Sequence, residues 1–248
     1  MYAFNGYLQE ARHVPIPKGE DYAIDVDSTV ETCQRERVKL LIFSNPGNPT
    51  SIVCTREEVR RLIRGLPDTL VVLDEPTWIS PIKACCRSSK STAICLSCAP
   101  APRPRYGGAA AGFAVGRKEL VDAVKAVKSP YNVNHLSRPW ELWCWSIHLL
   151  GEALETILAS KKQLVEGLEA LLKEFPSRFT LLPSATNFAS LRLPDGEALH
   201  HFLGETGHLG AVYRRAGAHH LWNAGGKPGC PGEMANYFAA APAAEEGR

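Results

Sequence analysis

Val38-Lys39-Leu40-Leu41-Ile42-Phe43 runs directly into Ser44-Asn45-Pro46-Gly47-Asn48-Pro49-Thr50. The first half is a short, continuous apolar run of the kind that forms a buried strand. The second half cannot continue it, because neither proline can donate to a sheet ladder. Thr55-Arg56-Glu57-Glu58 follows with capping-box spacing. The threonine hydroxyl can accept from the Glu58 amide while the Glu58 carboxylate reaches back, which predicts a helix through Leu66. Thr69-Leu70-Val71-Val72-Leu73 is then a second buried strand, and it ends at Asp74-Glu75. Strand, loop, helix, strand in that order is a βαβ unit, so the two strands are expected to lie parallel. The fold class that follows is α/β with a mostly parallel sheet.

The rest of the chain is placed around that unit. Between Thr77 and Tyr106 periodicity gives way to Ser, Cys, Ala and Pro, in a stretch too long for an ordinary connection inside a compact domain. Gly112-Phe113-Ala114-Val115-Gly116 reads as a strand, and Lys118 to Val127 as a helix. Pro139 to Leu172 carries apolar residues at helical spacing, with a bend expected near Gly151. Strands are expected at Phe179–Leu182, Phe188–Leu191 and Ala211–Tyr213, with a helix from Gly196 to Gly204. The layout is a partial large domain over 1–135, a long connecting helix over 136–175 and a small C-terminal α/β domain over 176–248.

Composition narrows the function. With 45% hydrophobic residues in 248, the chain can bury a substantial core. Its 28 basic residues are offset by 26 acidic ones, and the two are interspersed, so no nucleic-acid surface is expected. Arg103 and Arg105 sit among prolines and read as a solvated loop. No stretch is apolar for long enough to span a bilayer, and no signal-peptide pattern opens the chain. Eight cysteines are too sparse for a disulfide scaffold, which points to a reducing, cytoplasmic setting. Cys95-Leu96-Ser97-Cys98 has half of a zinc spacing, but adjacent Cys85-Cys86 is a poor second half. His200-His201 and His219-His220 are adjacent pairs whose side chains diverge on regular elements, so a shared metal is not expected. Trp140, Trp143 and Trp145 are most simply core or subunit contacts.

The chemistry lies where the two strands end. Ligands of open parallel sheets bind outside the carboxyl ends of the strands, where Asn48 and Asp74 are expected to converge. A carboxylate there suits a cofactor with a pyridine nitrogen, which it keeps protonated so that the ring can withdraw electrons from a carbanion. An amide nearby can donate to a phenolate oxygen on the same ring. The alternative is that both residues only cap turns.

The Asn45–Thr50 motif and the Leu70–Glu75 strand resemble those of the class I/II pyridoxal-phosphate (PLP) aminotransferases, closest to the histidinol-phosphate branch. The Met1-Tyr2 opening, Ser129–Asn134 and Leu182–Phe188 resemble the same branch, in order along the chain. The resemblance implies the fold type I three-layer sandwich, PLP as cofactor, and transfer of an amino group between L-histidinol phosphate, or a related amino acid, and a 2-oxo acid. It implies a homodimer as well. Asn48 matches the residue at the ring oxygen and Asp74 the partner of the ring nitrogen, while Thr77 stands where the family has a tyrosine. Aligned on Gly112–Gly116, the Schiff-base lysine falls at about Pro102 and the phosphate-binding arginine at Ala110, so no catalytic lysine is assigned. Lys83 and Lys90 are near in sequence. The arginine for the substrate carboxylate falls at about Trp222, leaving Arg214 as the candidate, with Arg215 beside it. The ring-stacking aromatic and the glycine-rich phosphate turn fall before Met1, so the chain reads as shortened. The change of character at Thr77 resembles a frameshift or a mis-assigned exon. Two readings follow, an active transaminase and a catalytically inactive fragment or pseudoenzyme of the family. A metal-binding module, resting on the cysteines, is a third.

Overall fold

Thr55 caps the helix that organises the first part of the molecule. In the computed structural model its hydroxyl accepts from the Glu58 amide at 3.3 Å, and the Glu58 carboxylate accepts from the Thr55 amide at 2.6 Å. The structure describes residues 2–74, 99–100, 112–128, 149–208, 210–214, 220–225 and 230–240. In chain order these form α1 (Tyr2–Leu8), α2 (Val26–Arg35), β1 (Leu40–Ser44), α3 (Arg56–Gly65), β2 (Leu70–Asp74), β3 (Ala99–Pro100), β4 (Gly112–Phe113), α4 (Lys118–Val127), α5 (Leu149–Glu174), β5 (Thr180–Leu181), β6 (Phe188–Leu193), α6 (Gly196–Glu205), β7 (Gly210–Arg214), β8 (His220–Gly225) and α7 (Cys230–Ala240).

The chain divides into two compact units, one comprising Met1–Gly47 and Val53–Ile147, the other Asn48–Ile52 and His148–Arg248. In the first, β1 and β2 pair in parallel from Leu40↔Leu70 to Ser44↔Asp74, as the βαβ reading requires. Alternation along β2 sends Val71 and Leu73 inward, and they pack with Phe43 of β1, Val59 and Leu62 of α3, and Val26 and Cys33 of α2. Helix α2 had no counterpart in the sequence reading. Asp25 starts it by accepting from the Ser28 amide at 3.0 Å, but its buried face carries Thr29 and Cys33 beside Val26, too mixed a stripe to stand out. Strand β4 is shorter than expected. The ladder to β3 covers only Gly112 and Phe113, and beyond it the backbone leaves the pairing to enter α4 at Arg117.

In the second unit β5, β6, β8 and β7 form a four-stranded antiparallel sheet in that spatial order. Helix α5 runs without interruption from Leu149 through Gly151 to Glu174. Its Leu164, Leu168 and Leu171, spaced at helical period, are buried against Leu191 and Leu193 of β6, Leu199 and Leu203 of α6, and Met234 and Phe238 of α7. Among the described residues no helix is long and apolar enough to cross a membrane. Thr77, Lys83, Lys90, Cys85, Cys86, Cys95, Cys98, Pro102, Ala110, Ser129–Asn134, Trp140, Trp143, Trp145, Arg215 and His219 lie outside the described residues, as does the helix expected over 139–148.

Candidate functional site

The site is built from the ends of β1 and β2. Ser44 pairs with Asp74 in the ladder, and the next amide, Asn45, donates to the Asp74 carbonyl at 2.8 Å. Asn45 and Asp74 therefore meet at adjacent strand ends, where an open parallel sheet places its ligands. The peptide bonds Asn45–Pro46 and Asn48–Pro49 are both cis.

The two asparagines of the motif do different work. Asn45 is 1% exposed, and its amide makes a closed pair with the backbone of Cys54, donating to the carbonyl at 2.8 Å and accepting from the amide at 2.9 Å. That side chain is a staple across the base of the loop, and its burial keeps it from a ligand. Asn48 is exposed at the tip, so its side chain is accessible.

Residues 48–52 belong to the second unit, and hydrogen bonds to the β5–β6 turn and to β6 show why. Ser51 Oγ and Thr186 Oγ1 are 2.5 Å apart. The Ala185 amide donates to the Ser51 carbonyl at 3.2 Å, and Ser190 Oγ donates to the Pro49 carbonyl at 2.9 Å. Thr186 and Ser190 are completely buried, and buried hydroxyls of this kind are costly unless paired. The Thr50 hydroxyl, buried in the same loop, has no hydrogen-bond partner among the described residues. Sequence reading found none of these roles, although Leu182–Phe188 stood out by resemblance. The φ of Ser51 is 61°, in the left-handed region.

Asp74 closes β2 and is half-buried. Its Oδ2 accepts a hydrogen bond from the Tyr2 hydroxyl, a contact between residues 72 apart that no spacing rule foretold. Arg214 ends β7 in register with His220 of β8. Trp222, where the resemblance places the substrate arginine, pairs with Leu191 of β6 and Val212 of β7.

Elsewhere in the first unit, a cavity of about 650 Å³ is bordered by Tyr2, Ile16, Lys18, β1 and Leu62. Burial lowers the Lys18 pKa there, opposed by the nearby Cys54 thiol. Burial also lowers that of Lys161, whose ammonium donates to the Ser184 carbonyl at 2.7 Å. Among the described residues no group of three His, Cys, Asp or Glu side chains is arranged to hold a metal ion.

Residues 3–78, which include the acidic strand end and the Asn-Pro loop, match the family model "Aminotransferase class I and II". The chain is similar to that family over this stretch. At the level of particular proteins, it is 28% identical over 216 residues to the histidinol-phosphate aminotransferase of Thermoanaerobacter sp. (strain X514), covering 84% of this chain and 58% of that protein. The chain thus spans less than two thirds of the length of such relatives. In fold it is similar to the histidinol-phosphate aminotransferase from Clostridium acetobutylicum, with a TM-score of 0.77 at 17% identity over 95% of this chain and 72% of the other. It is likewise similar to that from Sinorhizobium meliloti in complex with pyridoxal-5'-phosphate, with a TM-score of 0.73 at 19% identity over 95% and 65%.

The Asp74 carboxylate fits one end of such a cofactor, since among the described residues only Tyr2 donates to it and its other oxygen suits a pyridine nitrogen. No described residue is assigned to the aldehyde or the phosphate.

Proposed function

We propose that the chain acts as a PLP-dependent aminotransferase, moving an amino group between L-histidinol phosphate, or a related amino acid, and a 2-oxo acid. The observation that carries the reading is Asp74 at the end of β2, joined through the Asn45 amide to the Asn-Pro loop. The similarity to histidinol-phosphate aminotransferases over 84% of the chain supports it. When bound, PLP supplies an electron sink for a carbanion at the substrate carbon. Asp74 holds a proton on the ring nitrogen and keeps the sink polarised. Asn48 donates its amide to the ring oxygen, and Thr77 offers a hydroxyl in place of the family's phenol. Arg214 binds the anionic end of the substrate.

The same reading assigns 1–135 to a partial PLP-binding domain with the three-layer sandwich of fold type I, 136–175 to a connecting helix and 176–248 to the small domain. It makes the protein a cytoplasmic homodimer.

The test is to add PLP, reduce with borohydride and map the modified peptide, alongside an assay of amino transfer from L-histidinol phosphate to a 2-oxo acid. The expected result is transfer together with one modified lysine. Lys83, Lys90 and the burial-perturbed Lys18 are the positions to inspect. Neither adduct nor transfer would sink the reading and leave the catalytically inactive relative.

A further inference from the structure

Helix α1 buries none of its residues. Phe4, Tyr7 and Leu8 are 62%, 78% and 58% exposed, so apolar packing does not account for its position. Among the described residues, the hydrogen bond from the Tyr2 hydroxyl to Asp74 Oδ2 ties it to the sheet.

That bond has the right chemistry for the group it touches. A carboxylate on an sp³–sp² torsion rotates in a broad well, and a donor on one oxygen fixes which way the other points. The phenol donor is neutral, so it orients the carboxylate without cancelling its charge, as a lysine or arginine would. A hydrogen bond from a hydroxyl to a carboxylate is of the stronger, charge-assisted type. Among the described residues no side-chain donor is placed on Oδ1, which can accept from a protonated ring nitrogen.

We propose that Tyr2 is a positioning residue, holding the Asp74 carboxylate in the orientation that meets the pyridine nitrogen of the cofactor. The role rests on the PLP reading above and adds to it a residue that the sequence alone left unassigned.

Three variants of the full chain test it: Tyr2→Phe, Asp74→Asn and the double substitution, each checked for native circular dichroism. Without cofactor, hydrogen exchange of α1 should quicken equally in Tyr2→Phe and the double variant, which lack the donor, and less in Asp74→Asn, whose amide oxygen still accepts a weaker, uncharged bond. An unchanged rate in both single variants would mean that the contact holds nothing, and the proposal would fall. With PLP, affinity should drop in Tyr2→Phe by roughly three- to tenfold, less than the bond itself contributes, because Tyr2 acts on the cofactor only through the orientation of Asp74. It should drop further in Asp74→Asn, and the double variant should be no weaker than Asp74→Asn alone.

Nitrogen-15 NMR of ring-labelled PLP supplies a readout that a merely structural tyrosine would not move. The ring nitrogen should be protonated in the wild-type chain, unprotonated in Asp74→Asn, and protonated only at lower pH in Tyr2→Phe. Wild-type affinity and ring protonation in Tyr2→Phe, with both lost in Asp74→Asn, would overturn the role of Tyr2 and leave the PLP reading standing. Failure of the wild-type chain to bind PLP at all would overturn both.

Discussion

Ser51 shows how a single side chain is balanced between two costs. Its φ of 61° is a conformation in which glycine is at ease and other L-residues are strained by about 1–2 kcal/mol. Against that, its hydroxyl meets Thr186 at 2.5 Å in a fully buried position. Ser51→Ala keeps the strain and loses the bond, so it should destabilise the protein by about 0.5–1.5 kcal/mol. Ser51→Gly loses the bond but relieves the strain, and should therefore be more stable than the alanine variant by about 1 kcal/mol. Urea denaturation of the two variants checks the order, and an alanine variant as stable as the glycine one would refute it. At this scale the sequence is partly legible. Asn48 and Asp74 stand out because the polar residues of a strand end sit next to a run that cannot continue. Tyr2 and Thr186 do not stand out. Their partners are 72 and 135 residues away, and no local pattern encodes a contact at that distance.

Elements are legible where their signals are local. The capping box at Thr55 and the strands on either side of α3 could be placed to within a residue or two, because each is specified by neighbours in sequence. Strand β8 and helix α7 could not. The β8 residues, His220-Leu-Trp-Asn-Ala-Gly, carry no β-branched side chain and depend on the flanking β6 and β7 for their conformation. Helix α7 opens on Cys230-Pro231-Gly232, which reads as a turn until the proline is placed in the first helical turn, where its missing amide costs nothing. That proline also explains a glycine in the middle of α5. A Cβ at Gly167 would stand 2.7 Å from Pro231 Cγ and 3.1 Å from its Cβ, so the two helices approach as closely as they do because position 167 is bare. In an exposed helix, glycine to alanine should stabilise by about 1 kcal/mol. Here Gly167→Ala should instead destabilise by about 1–3 kcal/mol, through overpacking against a stiff ring. A rise in thermal midpoint for Gly167→Ala would refute the close approach.

For the whole molecule the decisive fact is that two separate cores share the Asn-Pro loop between them in sequence. Leu62 and Leu168, each fully buried, lie at the centres of different clusters. The loop leaves the first unit after Gly47 and returns to it at Val53, and each half of its hydrogen bonding is reported by one amide. The Cys54 amide, bound to Asn45 Oδ1 at 2.9 Å, belongs to the first unit. The Ala185 amide, bound to the Ser51 carbonyl at 3.2 Å, belongs to the second. This division was not legible in the sequence, where Asn45 and Asn48 read as parts of one motif, because motif spacing says nothing about which core a residue is anchored to. Leu→Ala in a packed core costs about 2–5 kcal/mol, and amides that exchange through the opening of that core should exchange at least about thirtyfold faster. Leu168→Ala should therefore release Ala185 and the α5 amides while Cys54 and the α3 amides stay protected. Leu62→Ala should do the reverse. Hydrogen exchange followed by mass spectrometry with peptide-level resolution separates the two patterns. If both substitutions accelerated both amides alike, the cores would unfold as one cooperative body, and the anchoring of residues 48–52 to the second core would have no energetic meaning.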